Sequence, residues 1–133
     1  MVQPMNPQSF EKIVIQVVLA LPQKFRKKLD NVAIVIEQKP THAHYQKAKI
    51  PPGNLLLGLY QGLPLTKRLF YSGVLPDKIT LFQKPIEALA QNKTHLKKLV
   101  SQVLQHEIAH HFGFNEKQVR KWEQERKAKF DKE

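Results

Sequence analysis

The stretch Val103–Val119, "VLQHEIAHHFGFNEKQV", holds three of the chain's six histidines within a single helical turn and a half, with a glutamate directly after the first. Upstream of it, Leu96, Leu99, Val100, Val103 and Leu104 recur at helical spacing, so the segment reads as one amphipathic helix beginning near Thr94, a plausible N-cap. The helix is expected to run to about Phe112 and to stop at Gly113, a residue suited to the left-handed position after a helix end. On such a helix His106 and His110 lie four residues apart and project from nearly the same face, one turn from each other. Two imidazoles so placed can share one zinc ion. Glu107 then stands beside the metal, where its carboxylate can take a proton from a metal-held water and return it to a leaving amine.

A catalytic zinc usually takes a third protein ligand. The chain can turn sharply at Gly113, and Glu116 follows three residues later, which completes the pattern His-Glu-x-x-His-x-x-Gly-x-x-Glu. Glu116 is therefore the expected third ligand, with Glu123 and His111 as alternatives. His111 neighbours His110 and points about 100° away from it, which favours a supporting role over ligation. The competing reading is a polar stripe on an ordinary helix; it leaves the helix pattern, the glycine stop and the carboxylate at the third position as coincidences.

Outward from this motif, Phe10, Ile13, Val14, Val17, Val18 and Leu21 mark a first helix, with Ser9 as its expected cap and Pro22 as its stop. Residues 1–8 read as a loose leader before a single domain over 9–130. The runs "VAIVI" (Val32–Ile36), "LLLGLYQGLPL" (Leu55–Leu65) and "KITLFQKP" (Lys78–Pro85) read as strands, the connecting "THAHYQKAKIPPGN" as a loop, and about Glu116 to Lys129 as a last helix. Strands in the middle and helices at both ends make the chain α+β. Tyr60 and Tyr71 are candidates to steady a tetrahedral oxyanion, against a plain packing role. His42, His44 and His95 are expected to be solvated, and Trp122 to pack along the last helix.

Composition narrows the chemistry further. At 133 residues the chain has the usual size of one domain, and the absence of cysteine excludes disulfides and thiolate zinc sites. The apolar run "IVIQVVLALP" is interrupted by Gln16 and too short to span a bilayer, and it lacks the layout of a signal peptide. A cytoplasmic, membrane-free monomer is the expectation. A net charge of +11 favours weak, non-specific contact with polyanions, yet the basic residues are spread along the chain without interleaved aromatics, as on a solvated surface.

With these residues laid out, the chain resembles the small bacterial zincin-like metallopeptidases, the minimal zincins. The resemblance runs from about Asn31 to Glu123 and rests on four ordered blocks: "NVAIVIEQKP", "LLGLYQGLPLTKR", "LPDKITLFQKPI" and "HEIAHHFGFNEKQV". It implies a zincin-like core, a small mixed sheet packed by the N-terminal helix and by the helix bearing His106, Glu107 and His110. It also implies a Zn2+ cofactor, a peptide or protein substrate, and a substrate strand at Leu57, Gly58, Leu59 and Tyr60, where Gly58 and Gly62 would let a peptide backbone approach. The family pattern more often carries aspartate where this chain has Glu116. The alternative function is a metal-binding or polyanion-binding adaptor that keeps the scaffold without turnover.

Overall fold

The computed structural model describes residues 2–30, 32–62 and 77–111, and of His110 and His111 the backbone alone. The expected last helix, Gly113 and Trp122 lie outside the described residues. Helix α1 spans Pro7–Ala20 and buries Phe10, Ile13, Val14 and Val17, the stripe expected from their spacing. Its start differs from the expected one: Asn6, not Ser9, is the N-cap, accepting a hydrogen bond from Ser9 N at 2.7 Å, and Pro7 occupies the first turn. Proline fits there because the first N–H groups of a helix have no intrahelical partner. The segment ahead of it, read as loose, is fastened: Val2 N donates to Ala90 O, and Met5 N to the buried Glu87 carboxylate at 2.8 Å.

A short helix α2 (Gln23–Arg26) and a 3-10 turn (Lys27–Leu29) lead into strand β1 (Val32–Glu37). Helix α3 (His42–Ala48) follows, then β2 (Gly58–Gln61), β3 (Asp77–Phe82), α4 (Gln83–Leu89) and the long α5 (Lys93–His111). Among the described residues these strands form one mixed sheet in the order β1-β3-β2, with β1 parallel and β2 antiparallel to the central β3. The fold is α+β, as the pattern of helices and strands predicts.

Two stretches differ in kind from their sequence reading. "THAHYQK" is not a loop: Thr41 caps α3 through a reciprocal capping box with His44, whose imidazole stands where glutamate or glutamine is usual. The run read as a strand to Pro85 changes into α4 after Phe82, with Pro85 again in a first helical turn. Helix α5 begins one residue before Thr94, capped by the Asn92 side chain, which accepts from His95 N at 2.8 Å.

The central strand separates two clusters. Ile79 and Leu81, fully buried, face α1 and α5, where they meet Phe10, Leu96, Val100, Leu104 and Ile108. On the other face Phe82 packs with Leu56 and Leu59 beneath Tyr45, Ala48 and Ile50. Helix α5 is thus locked by its apolar stripe on one face of the sheet, and α3 covers part of the other.

Candidate active site

Strand β2 and helix α5 bring Leu57, Gly58, Leu59 and Tyr60 next to His106 and Glu107. Phe82 N donates to Leu57 O at 3.0 Å, so by antiparallel alternation Leu57, Leu59 and Gln61 bond to β3, while Gly58 and Tyr60 turn their N–H and C=O groups to the outer edge. One of these groups is already engaged. Tyr60 N donates to Glu107 Oε2 at 3.2 Å, which ties the carboxylate of α5 to the rim of the sheet. Glu107 is 8% exposed and Val103, one turn before it, 9%. His106 is half-buried on the same helix.

Gly58 explains how helix and strand come so close. A Cβ built there would lie 2.5 Å from Val103 Cγ1, 3.2 Å from Thr80 O and 3.7 Å from Glu107 Cγ. At Gly62 an added carbon would run into the Asp77 carboxylate. Both glycines therefore serve close contacts within the fold itself.

Along this edge runs a cleft of about 490 Å³. Leu99, Gln102, Val103, His106 and Glu107 of α5 form one wall, β2 and the preceding Leu56 and Leu57 form the floor, and Lys47, Ala48 and Ile50 form the other wall. The α5 residues repeat at three and four, so a single helical stripe presents them all. The four residues Leu57, Gly58, Leu59 and Tyr60 all line the cleft, next to His106 and Glu107. Tyr60 also packs against the main core.

The wall from α3 is what the sequence reading missed. Thr41 is its signal, a capping residue three positions ahead of a side chain that can bond back. His44, expected to be solvated, is buried: its Nδ1 accepts from Thr41 N at 2.9 Å, its Nε2 lies 3.5 Å from Glu37 Oε2, and its ring meets Phe82 edge-on. His42 is exposed, and His95 is half-buried, accepting from Gln91 N at 3.0 Å.

Of the three expected metal ligands, His106 alone has its side chain among the described residues, and its imidazole is a donor that zinc accepts. Helix α5 is unbroken through His111, so the backbone carries His110 one turn beyond His106, and the carboxylate of Glu107 is tied to the sheet edge by Tyr60 N. The side chains of His110 and His111, and the whole of Tyr71, Glu116 and Glu123, lie outside the described residues. Within the described residues no three His, Asp or Glu side chains form a cluster, as expected when two of the three predicted ligands fall beyond them. Among the described residues no helix is long and apolar enough to cross a membrane.

Comparison with known proteins agrees with this geometry. No curated protein matches the chain. The family model described as zincin-like metallopeptidase matches residues 29–126, a span that takes in the whole sheet, the cleft and the His-Glu-x-x-His helix. With that share of its length covered, the chain belongs to the zincin-like metallopeptidase family.

Proposed function

We propose that this protein is a zinc-dependent peptidase that hydrolyses a peptide bond with Glu107 as general base. The observation that carries the reading is the hydrogen bond from Tyr60 N to Glu107 Oε2, which holds a buried carboxylate beside His106 where strand β2 lines the cleft. His106, His110 and Glu116 are the residues that would hold the metal. When bound, zinc supplies a Lewis acid that polarises the scissile carbonyl and makes water more acidic.

The chain's own residues do the rest. The outward N–H and C=O of Gly58 and the C=O of Tyr60 can pair with an extended peptide, as an added strand would, while the Tyr60 N–H stays on Glu107. Glu107 takes a proton from the attacking water as its oxygen bonds to the carbonyl carbon. The same carboxylate delivers that proton to the amide nitrogen as the C–N bond breaks, so proton and electron pair leave together on the amine. The backbone bond from Tyr60 holds the carboxylate in place through both transfers. Tyr60 and Tyr71 remain the candidates to steady the oxyanion, and His111 to support a ligand.

Glu107→Gln keeps the size of the side chain and removes its basicity. The variant is expected to retain zinc at wild-type stoichiometry and to lose peptide hydrolysis by roughly 10²–10⁴-fold. Elemental analysis and a peptide-library digest check the two halves. A second reading, a metal-binding or polyanion-binding adaptor without turnover, is favoured by the net charge of +11. Under it, Glu107→Gln changes nothing measurable.

A further inference from the structure

The two walls of the cleft differ in chemistry. The α5 wall carries His106 and Glu107, the groups assigned to the reaction, whereas the α3 wall carries Ile50, Ala48 and one cation, Lys47. Lys47 is exposed in the last turn of α3, and among the described residues no carboxylate pairs with it. The remaining lining is apolar or neutral: Leu56, Leu57 and Leu99, with Gln102. An extended peptide laid along β2 turns alternate side chains to opposite faces of the sheet. One set points to α5 and the chemistry; the other points to α3 and Lys47.

We infer that the cleft selects extended peptides that carry an acidic side chain on the α3-facing set, next to apolar side chains, with Lys47 as the specificity-determining residue. This rests on the cleft being the peptide site proposed above. The charge logic is local as well as global. A lysine ammonium without a carboxylate partner beside apolar walls is satisfied by a ligand carboxylate, and a ligand lysine there meets a like charge. The net charge of +11 adds attraction for acidic segments at long range, and Lys47 converts it into a preference at one position.

The test is a positional scan by fluorescence anisotropy, using the full-length, zinc-replete protein and labelled decapeptides of a Leu- and Ala-containing host. Asp, Asn or Lys is placed in turn at each site, and hydrolysis is followed in parallel by mass spectrometry. At one position, or at positions two apart, Asp is expected to bind about fivefold tighter than Asn, the size of a partly exposed ion pair. Lys47→Met should erase that difference and Lys47→Glu should reverse it in favour of Lys. Lys84→Glu, an equal charge change at an exposed position of α4, should leave it in place. The inference is overturned if no position prefers Asp, if the preference survives both Lys47 variants, or if Lys84→Glu removes it equally, which would make it an effect of bulk charge. Acid-selective binding that depends on Lys47 without any cleavage would instead refute the peptidase reading and leave the binding preference standing.

Discussion

A methyl group on Gly58 would meet Val103 Cγ1 at 2.5 Å and the Thr80 carbonyl at 3.2 Å; Val103 is β-branched and stiff on its helix, and the carbonyl belongs to the buried central strand. Gly58→Ala is therefore expected to cost about 1–3 kcal/mol, the usual range for overpacking, read as a lowered urea midpoint at unchanged slope. Adding Val103→Ala should recover part of the loss, because it removes the shorter contact and leaves the backbone one. Thr80 makes the opposite case. It is fully buried and among the described residues its Oγ1 has no hydrogen-bond partner, so there the hydroxyl is stripped of water without compensation. Thr80→Val keeps the shape and removes that cost, and should raise stability by about 1 kcal/mol in the same measurement.

Helix α3 builds the cleft's second wall from seven residues, a length with little intrinsic stability, so its cap matters more than its propensity. Thr41→Ala removes the oxygen that accepts from His44 N and should cost about 1 kcal/mol. If α3 holds the peptide's second face, the same change should raise KM more than it lowers kcat, since the wall binds and does not react. This element also shows where reading the sequence stops. Helix α1 and the His-Glu-x-x-His segment were legible because their apolar residues repeat at 3.6, a signal contained within the segment. Helices α3 and α4 were not, because His44 occupies the place of a capping glutamate and Pro85, tolerated in a first turn, reads as a stop. The cleft itself was legible on one side only. Glu107 and His106 announce themselves by spacing, whereas Lys47 joins them through the strand order β1-β3-β2, which no local pattern encodes.

At the scale of the whole molecule the question is whether the metal builds the fold or uses it. A structural zinc staple would unfold its surroundings on chelation. Here α5 is held by Leu96, Val100, Leu104 and Ile108 against Phe10 of α1 and against Ile79 and Leu81 of β3, all buried in an apolar cluster that contains no proposed ligand. Glu107 is anchored by a backbone N–H, which needs no ion. Chelation is accordingly expected to abolish hydrolysis while leaving the far-UV circular dichroism and a single cooperative thermal transition. The Tm should fall only by the binding linkage, about 2.7 kcal/mol of stability when zinc had stood at a hundredfold excess over its Kd, and re-addition of zinc should restore both. Loss of helical signal on chelation would show instead that the motif helix depends on its metal, and the apolar stripe of α5 would then be insufficient to hold it on the sheet.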